Sequence, residues 1–155
     1  MTGWLKTKKN LMAATLILLI NFSATLFMTG LVWFVQIVHY PLFQKITTDF
    51  VAYELLHTRL TGRITAPVML VELAATLLMW WYWPSYYVLN LILSFLLLLI
   101  WISTFFIQIP LHNKLCKAFN IEQCRRLSNT NWIRTIAWTL KGLFTAVYYI
   151  EMAML

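Results

Sequence analysis

Histidine and glutamine occur together at two places in the chain. In the segment FVQIVHYPLF, His39 follows Gln36 by three residues, and in FIQIPLHNKL, His112 follows Gln108 by four. Both spacings put the two side chains on one face of a helix. Neutral imidazole is a common ligand of iron, copper and zinc, and imidazoles on two facing helices can hold a haem or a metal ion. The pattern therefore predicts a haem or copper site built on His39 and His112, with His57 as a third metal ligand.

The composition predicts that these residues belong to a membrane protein. Of 155 residues, 61% are hydrophobic and 11% are charged, whereas a water-soluble domain carries about 25% charged residues. A helix needs about 20 mostly apolar residues to cross a bilayer. The sequence contains four such stretches and leaves no room for a separate soluble domain. We therefore predict a single transmembrane domain, residues 1–155, with spans at about 11–38, 65–83, 87–111 and 132–155.

The predicted fold is an all-α integral membrane four-helix bundle. In the link between spans one and two, the pattern Phe50, Val51, Leu55, Leu56 predicts a short amphipathic helix, either at the membrane surface or leading into the second span. The uncharged link WYWPSYY makes helices 2 and 3 a tight hairpin. The similar phrases FVQI and FIQI indicate two repeated helical hairpins. Chance similarity in a chain rich in Phe, Ile and Val is the alternative explanation.

The net charge of +7 is typical of basic residues that flank membrane spans and meet anionic headgroups. No nucleic-acid-binding module is recognisable, so no nucleic-acid partner is expected. The basic residues of the two long connections predict that their face is cytoplasmic, whereas Lys6, Lys8 and Lys9 before the first span argue for the opposite orientation. Cys116 and Cys124 would stay reduced on a cytoplasmic face and can pair on an external one.

Three charged residues fall within the predicted spans. Glu72 lies in span two, Arg134 in the first turn of span four, and Lys141 nearer its middle. An unpaired charge inside a membrane costs at least about 2.5–3.5 kcal/mol. Glu72 is therefore expected to pair with Arg134 or Lys141, or to be protonated. Such a carboxylate is either part of a structural ion pair or part of a path for protons or substrate.

Further polar residues are predicted to share the histidine face. Gln36, Gln108 and Asn131 are candidates to line the site. Arg59 and Arg63 are four residues apart, so on a helix they share a face and are placed to meet haem propionates. The alternative is that these histidines and arginines lie at the level of the lipid headgroups, where they need no partner.

Four segments carry a family resemblance: VHYPLF, HTRLTGRITAPVMLVEL, IPLHNKL and NTNWIRTIAW. They resemble an uncharacterised family of small bacterial four-helix integral membrane proteins, distantly similar to the anthrone-oxygenase-like proteins and the copper-resistance-D-like superfamily, some of whose members bind haem. The resemblance spans nearly the whole chain. It implies a multi-pass protein of the bacterial inner (cytoplasmic) membrane with a metal or haem site. The matching positions are His39, Pro41, His57, Arg59, Pro67, Glu72, Pro110, His112, Asn113, Asn131, Trp132, Arg134 and Thr135.

Taken together, these features predict a membrane oxidoreductase or redox carrier that holds haem or copper and acts on a quinol or another lipophilic molecule. In this hypothesis His39 and His112 ligate the cofactor, Glu72 moves protons, and Arg134 and Arg59 hold anionic groups. One alternative is a metal-free, proton-coupled transporter subunit, which at this size requires a homo-oligomer. Another is a partner or assembly protein that uses its polar face to bind a second membrane protein.

Overall fold

The computed structural model describes residues 2–46 and 48–153, with side chains described only between residues 11 and 152. The side chains of Lys6, Lys8 and Lys9 and the last two residues of the predicted fourth span therefore lie outside the described part of the chain. Every regular element within the described ranges is helical. The elements are α1 (Thr2–Phe34), a π-helical turn (Val35–His39), α2 (Tyr40–Phe43), α3 (Phe50–Tyr82), a 3-10 turn (Pro84–Tyr86), α4 (Tyr87–Ser103), a second π-helical turn (Thr104–Gln108), α5 (Ile109–Leu115) and α6 (Ile121–Ala153).

Three helical stretches are long and apolar enough to cross a membrane, as the sequence predicts for the first three spans. They cover Leu11–Phe43, Phe50–Tyr82 and Pro84–Leu115. α3 alone has 33 residues, about 50 Å of helix, so it extends beyond the roughly 30 Å of hydrocarbon. α6 also has 33 residues. It is less apolar over its described residues because its buried face carries Lys141 and several other polar side chains.

The distribution of polarity is that of a protein surrounded by lipid. Large apolar side chains point outward, among them Trp81, which is 82% exposed, and Phe106, which is 77% exposed. Polar and charged side chains are buried instead, and Asn21, Glu72 and Lys141 are each 0% exposed. A soluble protein rarely exposes such a large apolar surface, and in lipid the polar groups must be satisfied from within.

The long helices pack in neighbouring pairs. α1 lies against α3 and α6, and α6 also lies against α4. α3 and α4 contact each other beside their short connection, where Trp80 Nε1–H donates to Ser94 Oγ at 2.9 Å. Apolar clusters fill the interior at three levels, and the middle one contains Met28, Ile100 and Trp138, each 0% exposed.

The structure corrects the boundary between the first two spans. The amphipathic segment that begins at Phe50, predicted to lie at the membrane surface or to lead into the second span, is the first half of α3, which continues without interruption to Tyr82. Pro67 lies inside this helix and neither starts nor ends it. A proline removes one backbone hydrogen bond, and a helix of this length retains enough others to continue. Asp49, with φ of 53°, makes the turn that precedes Phe50.

The two similar phrases of the sequence share a local structure. FVQI and FIQI both fall in π-helical turns, one containing Gln36 and the other Gln108. A proline follows each turn, Pro41 in α2 and Pro110 in α5. A proline ring clashes with the carbonyl one helical turn earlier, and a wider turn relieves that clash. Such π turns are frequent at functional sites.

Candidate functional site

Three helical segments bring the histidines together at one end of the protein. His39 ends the first π turn, His57 lies in α3, and His112 lies in α5. The ring of His57 stacks on that of His39 with 4.4 Å between centroids and lies 5.6 Å from the ring of His112. All three are half-buried. We call these residues, together with Glu54, the histidine cluster.

Glu54 is the fully buried member of this cluster. Its side chain is 0% exposed, and its Oε1 accepts a hydrogen bond from His112 Nδ1–H at 2.6 Å. Its other oxygen, Oε2, is buried without a hydrogen-bond partner among the described residues, as is His39 Nε2. One donor atom from each of Glu54, His57 and His112 lies within 4.8 Å of the others. Two imidazoles and one carboxylate at this separation can hold a transition-metal ion.

Tyr40 contacts the second ring nitrogen of His112, and Gln108 holds Tyr40 in place. The Tyr40 hydroxyl lies 3.3 Å from His112 Nε2 and 3.4 Å from Gln108 Oε1. Gln108 Nε2 in turn donates to Thr130 Oγ1 of α6 at 3.1 Å. Tyr40 is only 3% exposed. The orientation of the imidazole is therefore set on both sides by hydrogen bonds. A metal-binding histidine keeps only one such contact, so His112 would exchange one of its two for a metal ion.

A cavity of about 520 Å³ is lined mainly by α3 and by the stretch from α4 to α5, with further residues from α1 and α6. Its volume is within the usual range for ligand pockets. His57 and His112 line its polar end, whereas Val32 and Met69 form part of its apolar wall. Lining residues such as Phe105 are half exposed on the outer surface. We call this space the side cavity. It joins the histidine cluster to the surface that faces lipid.

Glu72 forms a separate centre deeper in the protein. Its Oε1 lies 2.9 Å from Lys141 Nζ and accepts from Thr25 Oγ1 at 2.7 Å, and its Oε2 accepts from Trp138 Nε1 at 3.1 Å. Lys141 also donates to Asn21 Oδ1 and Thr25 Oγ1. Of the two partners expected for Glu72, the structure selects Lys141. Both charges are fully buried and hydrogen-bonded, and neither residue lines the side cavity.

The remaining predicted site residues separate into two groups. Arg134 and Gln108 line the side cavity. Gln36 and Asn131 join the first π turn to α6, with Asn131 Nδ2 donating to Gln36 Oε1 at 3.0 Å, and they do not line the side cavity. Arg59 is exposed and does not line the cavity, and the same holds for Arg63.

Sequence reasoning missed two residues of the site, Glu54 in the histidine cluster and Tyr40 beside it. Glu54 precedes His57 by three residues, a Glu-x-x-His spacing that puts both side chains on one helix face, and this spacing was the available signal. The apolar pattern of the surrounding segment obscured it. Tyr40 had no comparable signal, because its contact with His112 depends on how α2 and α5 pack.

The two cysteines are both free thiols. Cys116 follows α5, and its Sγ lies 3.9 Å from Thr58 Oγ1. Burial raises the pKa of the Cys116 thiol, the Thr58 hydrogen bond opposes this shift, and the Glu54 carboxylate adds to it. The thiol is therefore protonated and weakly reactive at neutral pH.

No family model, curated protein or solved structure matches this chain. The function is therefore inferred from the chemistry of the histidine cluster and of the side cavity. The donor atoms of the cluster suit a metal, the cavity beside it suits an apolar molecule, and the two adjoin at His57 and His112.

Proposed function

We propose that this protein is a membrane oxidoreductase whose reaction centre is a single transition-metal ion bound by Glu54, His57 and His112. The observation that carries the proposal is the closeness of their donor atoms, within 4.8 Å of one another, beside a side cavity that His57 and His112 line. The substrate is a lipophilic molecule, a quinol or another membrane-soluble compound, that enters from the bilayer between α3 and α4.

The donor set can hold a redox metal. Two imidazoles and one carboxylate occupy one side of an ion and leave other coordination positions open, as in non-haem iron(II) oxygenases, and copper accepts the same donors. Burial of Glu54 supports this role, because a carboxylate removed from water needs a cation or a hydrogen-bond donor for each oxygen. A bound ion would satisfy Oε2, which has no partner among the described side chains and backbone groups.

A single ion suits the cluster better than the haem that the family resemblance implies. Haem held by His39 and His112 would need a flat slot between the two imidazoles. Here His57 contacts both rings, at centroid separations of 4.4 and 5.6 Å. The arginine expected to meet a propionate, Arg59, is exposed and outside the side cavity. The residues present therefore do not suit a haem.

The membrane arrangement that accompanies this function is a four-helix bundle of two like-directed hairpins, α1 with α3 and α4 with α6. Its support is the packing within each hairpin and the shared π turns at Gln36 and Gln108. α6 would complete the bundle as a fourth span, with its polar face turned inward. The family resemblance favours the bacterial inner membrane.

The alternatives draw less support from the geometry. The hypothesis of proton-coupled transport was based on Glu72 together with the histidines, yet both oxygens of Glu72 are hydrogen-bonded and Lys141 neutralises its charge. That pattern is typical of a structural ion pair. A role as a partner or assembly protein would need a polar surface open to another chain, whereas the polar groups described above are mostly interior.

Elemental analysis of protein extracted gently from membranes tests the proposal. We expect near one iron or copper per chain in the wild type, a loss of that metal in His57→Ala and in His112→Ala, and retention in His39→Ala, the matched control from the same cluster. A reversible change in the electron paramagnetic resonance spectrum on reduction would establish redox activity. A metal-free wild-type protein with intact helicity would contradict the proposal.

A further inference from the structure

Arg134 is a half-buried cation that no carboxylate of the described residues neutralises. Each of the ion pairs between described residues involves other side chains: His112 with Glu54, Arg125 with Glu122, and Lys141 with Glu72. Arg134 Nε is buried and has no hydrogen-bond acceptor in the described part of the chain. The guanidinium lies over the ring of Trp138, 5.2 Å from its centroid. An unpaired charge at membrane depth is costly, and such residues usually mark a ligand or ion path.

A second donor without a partner belongs to another residue that lines the side cavity. Trp101 lines the side cavity together with Arg134, and its Nε1–H group is buried without an acceptor among the described residues. Buried N–H groups in native proteins are nearly always paired. Two donors without partners among the described residues, one of them charged, suit an acceptor that carries negative charge. The planar fork of a guanidinium matches a carboxylate through two parallel hydrogen bonds.

The rest of the side cavity suits a hydrocarbon chain. Leu31, Val32 and Met69 line its interior, and Leu70 and Ile109, which are 56% and 40% exposed, lie where it reaches the outer surface. A molecule that entered here from the bilayer could keep its chain between apolar side chains while its headgroup reached Arg134. A carboxylate with a single hydrocarbon chain combines such an apolar chain with an anionic headgroup.

We infer that the side cavity binds a single-chain amphiphilic carboxylate, whose headgroup is held by Arg134 and Trp101 and whose chain extends toward the bilayer between α3 and α4. That this ligand is the substrate rests on the proposed metal centre. Its binding does not, because neither Arg134 nor Trp101 belongs to the metal ligands. The class of ligand is thereby narrowed from any lipophilic molecule to an acid.

A binding assay in lipid nanodiscs tests the inference on full-length protein treated with a chelator. Radiolabelled dodecanoate is the probe, and unlabelled dodecanoate and 1-dodecanol are the competitors, because they share a chain and differ in charge. We expect dodecanoate to displace the probe at concentrations at least tenfold lower than dodecanol. A hydrogen bond to a charged group is worth about 1.5–3 kcal/mol, so Arg134→Gln should weaken binding about tenfold to a hundredfold.

Two further variants make the assay decisive. Trp101→Phe removes the N–H donor, keeps the aromatic ring, and should weaken binding about twofold to tenfold. Arg126→Gln removes an exposed arginine of the same helix and should leave binding unchanged. Arg134→Gln is expected to fold, because the described structure gives its guanidinium no hydrogen bond to lose. If it fails to fold, Trp101→Phe decides the question.

The inference is overturned if dodecanol competes as well as dodecanoate, or if neither Arg134→Gln nor Trp101→Phe weakens binding. Its outcome is independent of the metal proposal. Displaceable dodecanoate binding in a protein that elemental analysis shows to be metal-free would leave the inference standing and refute the metal centre. A metal-loaded protein that does not bind dodecanoate would refute the inference and leave the metal centre standing.

Discussion

Replacing Lys141 by methionine should destabilise the protein strongly, because it leaves the Glu72 carboxylate buried without a counter-charge. The two charges are 2.9 Å apart and both are 0% exposed. Removing one partner of a buried ion pair typically costs about 3–5 kcal/mol. Glu72 would retain hydrogen bonds from Thr25 and Trp138, and it can also take up a proton. We therefore expect a loss near the lower limit, about 3 kcal/mol.

A double-mutant cycle distinguishes loss of the pair from loss of packing. Glu72→Gln should also destabilise, because it strands the lysine, whereas combining it with Lys141→Met removes both charges together. The double variant should lose at least about 2 kcal/mol less than the sum of the single variants, since the residues interact directly. Unfolding by sodium dodecyl sulfate in mixed micelles, followed by circular dichroism, measures each free energy.

The matched control is Lys117→Met, which removes an exposed lysine and should change stability by no more than about 0.5 kcal/mol. The reasoning would be refuted if Lys141→Met cost less than about 1 kcal/mol and the two single changes were additive. In that case Glu72 would be held in neutral form in the wild type, and its role as a proton carrier would regain support.

Three further predictions concern contacts outside the ion pair. A Cβ at Gly142 would meet side chains of α1 at no less than 3.7 Å, so Gly142→Ala should be tolerated. Gly142→Leu should lower the free energy of unfolding by about 1–3 kcal/mol, because the larger side chain forces α1 and α6 apart. Equal stability of the two variants would contradict this prediction. Gln36→Leu breaks the link to Asn131 and should cost about 0.6–1.7 kcal/mol, the range for hydrogen bonds between membrane helices, and no loss in the same unfolding assay would argue against the link. The pKa of the Cys116 thiol is raised, so less of the thiol is ionised near neutral pH in the folded protein than in the unfolded protein. Alkylation of Cys116 by iodoacetamide should therefore be slower in the folded protein. Equal rates would contradict the raised pKa.

Much of the helical framework could be predicted from the sequence, because the length of an apolar run directly reflects the thickness of the bilayer. The three stretches that begin near Leu11, Phe50 and Pro84 show this. Their ends were predicted less well, since helices continue into the headgroup region wherever backbone hydrogen bonding remains favourable. The continuation of α3 through Pro67 is an example, because only the surrounding helix decides whether a proline interrupts it.

The composition of the site was harder to predict than its position. The spacing of Gln36 with His39 and of Gln108 with His112 predicts shared helix faces. Of the two glutamines, however, only Gln108 lines the side cavity, whereas Gln36 contacts Asn131 of α6. The difference arises from helix rotation, which spacing along one chain does not determine. For the same reason the contact of Glu54 with His112 could not be predicted, since it depends on the approach of α3 to α5.

The most direct test of the metal centre is a titration of metal-free wild-type protein with cobalt(II), followed by its visible absorption bands. The folded protein brings one set of metal ligands together per chain. We therefore expect the bands to grow until one ion per chain is bound and then to stop. They should be absent at the same concentrations in His57→Ala and in Glu54→Gln. Absorption that rises without saturation, or that is unchanged in both variants, would contradict the assignment of Glu54, His57 and His112 as a metal-binding site.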